Sequence, residues 1–329
     1  MKLRTVEMEA PICAVDKGVT NPLIISADDG EKYILKHSIN KEGKNYNATL
    51  VNEVLAYQIG SFLEVPMPEM VFVHVDGTLM ELNKRLFFAY RLTEGTHVGS
   101  LQLENVENNE INNMQLQIKM GKPYLKRPWN TFFEKIDNKE DIAAILAFDL
   151  LISNFDRYNN TGNVIIDESN GRKIYAIDHG HAFRGAIWKP LDIEALAELD
   201  DSKLYVERVL NWLYGLFRDK QLTFSRLGPV FDSLEKFIDL TNLEEHSFQE
   251  VVSRIECISE ELINSWLDDI PHEWYINEQE QKNYYRNFLL MSKDAVRRII
   301  QVLAENMAFT NYRGGVLKWK ERQSLNTAL

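Results

Sequence analysis

Three oxygen-bearing side chains, Asp156, Asn163 and Asp178, carry the chemistry that this chain suggests. Asp156 opens a polar stretch just past a long apolar run. Asn163 closes that stretch at the entry to Val164-Ile165-Ile166. After a turn at Asn170-Gly171, residues 173–177 have strand character and deliver Asp178, followed by His179-Gly180. A hairpin with these side chains at its mouth suits phosphoryl transfer, which needs alignment and charge neutralisation more than covalent help. One carboxylate takes the proton of an acceptor hydroxyl. Oxygen ligands hold Mg²⁺, which favours carboxylates, amide oxygens and water. Asp156 is the candidate base; Asn163, with Asn160 second, and Asp178 are the candidate metal ligands.

The pattern departs from the protein-kinase signature, which sets its asparagine five residues after the aspartate. Here that position is Thr161, His179 replaces the phenylalanine of the metal-binding triplet, and no Ala-Pro-Glu follows. These departures argue against an ordinary eukaryotic protein kinase. Asp, Asn and Gly also cluster in plain turns, but a turn does not require a second Ile177-Asp178-His179-Gly180 element after a strand.

Such a site needs elements upstream to position a cation and a nucleotide. Tyr33-Ile34-Leu35-Lys36 reads as a strand, whose alternation puts Ile34 and Lys36 on one face. Ile34 then covers an adenine while Lys36 reaches phosphates; a solvated edge-strand charge is the plainer reading of one lysine. Apolar residues at 51, 54, 55, 59, 62 and 63 predict a helix. Glu53 falls in its first turn, where a carboxylate suits the helix dipole, and is the candidate partner of Lys36. Residues 15–22, with Gly18 and Thr20, form a turn between strands whose backbone N–H groups suit phosphate. Residues 86–92 read as a buried strand, with the backbone of Tyr90–Leu92 at the adenine edge or, alternatively, in the core.

Taken together, these residues resemble the HipA-like kinase domain family, which is distantly similar to HipA toxins and phosphoinositide kinases. The resemblance rests on residues 17–22, the Lys36 strand, Asn52-Glu53, residues 65–69, residues 148–157, Gly162-Asn163, Ile177-Asp178-His179-Gly180 and residues 270–274. It implies an α+β, bilobal kinase-like fold using ATP and Mg²⁺, with Asp156 as base and Asn163 and Asp178 on the metal. It also implies Thr20 as a site of self-modification. The expected activity is Ser/Thr phosphorylation of a protein substrate. A pseudokinase scaffold, an antitoxin-like partnership, or a lipid or small-molecule kinase is the alternative.

Composition sets bounds on this. The chain has 329 residues, 45% of them hydrophobic, enough for two lobes around a cleft. Residues 1–92 are expected as a β-rich N-lobe with one helix, and 93–329 as a C-lobe with catalytic loop, metal-binding hairpin and helical tail. Helices are expected near 104–119, at 139–153, 204–217, 247–267 and 278–305, the last as a solvated outer helix, with 312–329 frayed. Asp149 inside an apolar helix needs a partner, such as Arg157 or loop backbone. A net charge of −12 argues against broad nucleic-acid binding. The basic residues 119, 122, 126 and 127 read as a solvated loop. No apolar run is long enough for a bilayer. Two cysteines and the absence of a secretory core suggest a cytoplasmic setting.

Overall fold

The computed structural model describes residues 2–14, 23–36, 47–82, 84, 92–107, 129–158, 163–188, 202–216, 225 and 227–320. Strands β1 (Thr5–Ala14), β2 (Leu23–Ala27), β3 (Lys32–Lys36), β4 (Met70–Val75) and β5 (Gly95–Leu101) close a barrel in the order β1-β2-β3-β5-β4. Every neighbouring pair is antiparallel except β1 with β4. Alternation along β3 sends Tyr33 and Leu35 into the barrel and leaves Ile34 and Lys36 together on its half-covered outer face. Gly99 lets this wall close tightly, since a Cβ there would lie 2.6 Å from Val73 Cγ2.

Helix α1 (Thr49–Phe62) leaves the barrel between β3 and β4. Its residues Leu50–Ala56 are all buried, polar Asn52 and Glu53 included. The apolar positions face both the barrel and the helical lobe, where Phe62 meets Trp266 edge-on at 5.7 Å. Short α2 (Gly77–Leu82) follows β4, and α3 (Trp129–Phe132) precedes α4 (Ile142–Ile152), whose residues are almost all buried. A second sheet joins β6 (Val106–Glu107), β7 (Val164–Asp167) and β8 (Lys173–Ala176). Helices α5 (Ser202–Leu216), α6 (Pro229–Leu234), α7 (Gln249–Glu256), α8 (Glu260–Asp268) and α9 (Glu278–Glu305) complete the lobe.

The α+β, two-lobed architecture expected from sequence is the one observed. Several details differ. The barrel reaches past residue 92, because β5 pairs with both β3 and β4 and the chain leaves only after Leu101. Val106 and Glu107 pair with β7, so no helix begins at 104; residues 108–128, with the basic cluster, lie outside the described residues. The helix expected over 247–267 breaks at Cys257–Ser259, where the Ser259 hydroxyl caps α8 by accepting from the Leu262 N–H. Helix α9 is central rather than outer. Its buried face, including Tyr285, Phe288, Val296 and Ile300, packs on α4, α5 and α8. Residues 312–320 are not frayed: Leu317 is buried and Trp319 meets His246 edge-on at 4.7 Å.

Candidate active site

Helix α4 ends because Ser153 turns left-handed (φ 54°), and the Asn154 N–H returns to the Asp149 carbonyl at 2.9 Å. That reversal throws Asp156 out at the top of the helix. Arg157 ties the helix end to both strands of the hairpin. It has no exposed surface, and its Nε and Nη2 bind the two oxygens of Asp149 at 2.8 and 3.0 Å. Its Nη1 donates to the carbonyls of Asn163 and Ile177 at 2.6 and 2.9 Å. Tyr158 Oη donates to the same carboxylate at 2.9 Å. The buried Asp149–Arg157 pair expected from sequence thus pins the first residue before β7 and the last before Asp178.

Asp156 is itself held at both oxygens. Asn163 Nδ2 donates to Oδ2 at 3.1 Å. With its amide turned to satisfy both neighbours, Asn154 donates to Oδ1 at 3.0 Å and accepts from Arg157 Nη2 at 2.9 Å. Burial pushes the Asp156 carboxyl above its usual range. Nearby His181 and Arg157 oppose this, while the negative charges of Asp178 and Asp149 add to it. Asp178 stands half exposed, with its backbone left-handed (φ 60°), a conformation that aspartate tolerates better than most residues.

From the other lobe, Lys36 Nζ forms an ion pair with Glu53 Oε1 and lies 3.7 Å from Asp178 Oδ1. Burial disfavours the ammonium, but the carboxylates of Glu53 and Asp178 outweigh it and hold Lys36 above its ordinary value. Burial likewise opposes ionisation of Glu53, and Lys36 with His179 overcomes it, so Glu53 stays a carboxylate. Its Oε1 also accepts the Gly180 N–H at 3.0 Å. A side chain at Gly180 would not fit, since a Cβ would lie 2.5 Å from Thr49 Cγ2. His179 is buried edge-on to Phe148 with Nδ1 3.8 Å from Glu53 Oε2, and burial lowers its pKa despite that carboxylate. It packs the loop, as expected, and a neutral ring does not compete with Lys36.

The structure therefore brings together Lys36, Glu53, Asp178, Asn163 and Asp156, with Ile34 on the Lys36 face. Glu53 lies beyond the first turn of α1, so its partners, not the helix dipole, hold it. The Leu92 side chain is buried in the barrel's apolar cluster ahead of β5. The connection between lobes is Gln102–Asn105, which leaves β5 beside the Ile34 strand, with Gln102 N–H on the Lys32 carbonyl at 2.8 Å. Gly18, Thr20, Tyr90 and Asn160 lie outside the described residues. The sequence pattern does not mark Asn154 as a contact of Asp156; the one available signal is a polar residue closing an apolar helix.

No group of three His, Cys, Asp or Glu among the described residues forms a dedicated metal cage. Mg²⁺ needs no such cage when a nucleotide's phosphates supply ligands. Asp178 offers an accessible carboxylate, and Asn163, its Nδ2 occupied by Asp156, offers an amide oxygen. The donor set fits that metal.

A barrel lysine paired with a helix glutamate, facing an aspartate–asparagine loop across the junction of two lobes, defines a kinase-type phosphotransferase. The chain belongs to the HipA-like kinase family, whose sequence model matches residues 11–194, more than half of its length. No curated protein matches the chain in sequence. Among solved structures, the proinflammatory kinase CtkA of Helicobacter pylori is similar over 92% of this chain and 98% of its own, at 15% identity and a TM-score of 0.47. The Golgi casein kinase with Mn/ADP bound is similar over 90% of this chain and 73% of its own, at 13% identity and a TM-score of 0.40.

Proposed function

We propose that this protein transfers the γ-phosphoryl group of Mg²⁺-bound ATP to a serine or threonine hydroxyl of a protein. The observation that carries the reading is the meeting of Lys36 with Asp178 at 3.7 Å, which joins a cation from one lobe to a carboxylate of the other. Bound Mg²⁺, held by Asn163 and Asp178, supplies charge neutralisation on the phosphate oxygens. Lys36 engages the phosphates, and Glu53 sets the lysine's direction. Ile34 covers the adenine, and the Gln102–Asn105 connection borders it. Asp156 accepts the hydroxyl proton on a carboxylate oxygen. Asn154 and Asn163 hold that carboxylate in one orientation, so the oxygen meets the hydroxyl without a search. Family membership supports a phosphotransferase; the assignment of a protein acceptor is our own reading.

The test offers γ-labelled ATP and Mg²⁺ with separate pools of protein, lipid and metabolite. Label is expected in protein, falling by about 10²–10⁴-fold in Asp156→Ala while nucleotide affinity is kept. Label in lipid or metabolite alone overturns the acceptor assignment. Nucleotide binding with wild type and variant equally inert overturns catalysis and leaves a nucleotide-binding scaffold.

A further inference from the structure

Asn52 stands next to Glu53 in α1 and has no exposed surface. Its Nδ2 faces three carbonyls of one segment, Gly180, Ala182 and Gly185, at 2.9, 3.1 and 3.0 Å. Its Oδ1 accepts from Tyr285 Oη, in α9, at 2.8 Å. An amide has two N–H donors and one carbonyl, so all of its capacity goes to partners outside its own helix.

The segment it grips is strained. Phe183, Arg184 and Gly185 are consecutively left-handed, with φ of 54°, 76° and 131°. Such backbone persists only where its surroundings over-determine it. Tyr285 supplies part of that determination twice over. Its ring meets the Phe183 ring edge-on at 5.2 Å, and its hydroxyl holds Asn52. Phe288, one turn on in α9, also meets the Phe183 ring edge-on at 5.9 Å, and the Phe183 N–H donates to the Ile152 carbonyl at 2.7 Å.

Glu53 reaches the same segment through the Gly180 N–H. Rotating α1 outward to release Glu53 from Lys36 would therefore strip the Asn52 amide of its partners and leave the buried Gly180 carbonyl without the donor it now has. Leaving buried polar groups unpaired costs more than a made bond gains. We propose that Asn52 and Tyr285 are positioning residues that fasten the Lys36–Glu53 pair to the segment after Asp178. The C-terminal helix thereby holds the catalytic geometry in place. Tyr285 lies well outside the residues that match the family model, so this fastening is added by the chain's C-terminal part. The inference rests on the phosphotransfer reading for its kinetic consequence, though not for its structural one.

The experiment compares Tyr285→Phe, which keeps the ring and removes only the hydroxyl, in two backgrounds: wild type and Glu53→Gln. Phosphotransfer kcat is expected to fall about tenfold or more in the first and by less than about twofold in the second, because residues acting through one group are non-additive. An equal loss in both backgrounds, or none in either, overturns the proposal. Amide hydrogen exchange is read on the same proteins without nucleotide. Protection is expected to drop together in the first turns of α1 and in residues 180–185; a change confined to α9 overturns the fastening. If wild type transfers no phosphate, the functional reading fails, while exchange alone still decides whether Tyr285 holds α1. Asn52→Asp, which keeps the acceptor for Tyr285 but loses both donors, is expected to give the same two signatures.

Discussion

Breaking the Asp149–Arg157 pair from one side should be far worse than removing it whole. Both side chains are fully buried, and Arg157 makes two bonds to Asp149 and two to backbone carbonyls. Arg157→Met strands a buried carboxylate, and Asp149→Leu strands a buried guanidinium. Each such loss costs about 3–5 kcal/mol. At roughly 2–4 °C per kcal/mol for a chain of a few hundred residues, either variant should melt on the order of 10 °C below wild type. In the double variant no charge is left alone. The Asn163 carbonyl keeps the Ile177 N–H at 3.2 Å, so the Ile177 carbonyl, the Asn154 amide oxygen and the Tyr158 hydroxyl are the groups left short of a partner. The double variant should therefore be more stable than the sum of the single losses by about 2–3 kcal/mol. Activity should not recover with stability, because Arg157 then no longer ties the end of α4 to residues 163 and 177. The assay is thermal unfolding of the four proteins, followed by phosphotransfer at a temperature where all are folded. Additive losses within about 0.5 kcal/mol, or a double variant as active as wild type, would refute the reasoning.

Asp156→Asn should trade function for stability. The folded-state pKa of Asp156 is raised, so its ionisation opposes folding above that pKa and ceases to matter below the ordinary carboxylate range. In the absence of metal and nucleotide, the variant's Tm should exceed that of wild type at pH 7, and the gain should vanish near pH 3–4, within the reach of ordinary aspartate titration at about 3.9. A gain that grows in acid contradicts the assignment. Gly180→Ala should lose activity through contact with Thr49 Cγ2, and Thr49→Ser, which deletes that methyl, should restore it; steady-state kinetics of the single and double variants checks this. Lys36→Met should weaken nucleotide affinity measured by calorimetry, whereas Asp156→Ala should leave it within about twofold, since a general base acts on proton transfer.

The chemistry-bearing hairpin was legible because its parts are local: two short apolar strands, a glycine turn, and aspartates at their ends. Helix α1 was legible from apolar spacing. Long-range pairing hid the rest. Residues 95–101 contain two glycines and little strand character, yet β3 and β4 clamp them from both sides, and this moves the connection between lobes to Gln102–Asn105. Helix α9 reads as an outer helix because apolar and charged residues alternate along it, and Gln281, Tyr285 and Ser292 do not stand out as core positions. In the fold each of them is buried: Gln281 accepts backbone N–H groups at the helix start, Tyr285 holds Asn52, and Ser292 donates to the Leu151 carbonyl at 2.7 Å. Asn52 is the clearest case. Its neighbours in sequence give its helix, but its partners lie 128 to 233 residues away.

The catalysis proposed for this junction requires Asn163 and Asp178 to share one divalent cation with a nucleotide. A crystal of the protein with Mn²⁺ and a non-hydrolysable ATP analogue, with the metal located by anomalous scattering, tests this directly. The expected peak lies about 2.0–2.2 Å from Asn163 Oδ1 and from a carboxylate oxygen of Asp178, close to the spacing of octahedral oxygen ligands, with Lys36 on the phosphates. A metal seated away from both side chains, or a nucleotide outside the junction of the lobes, would contradict it.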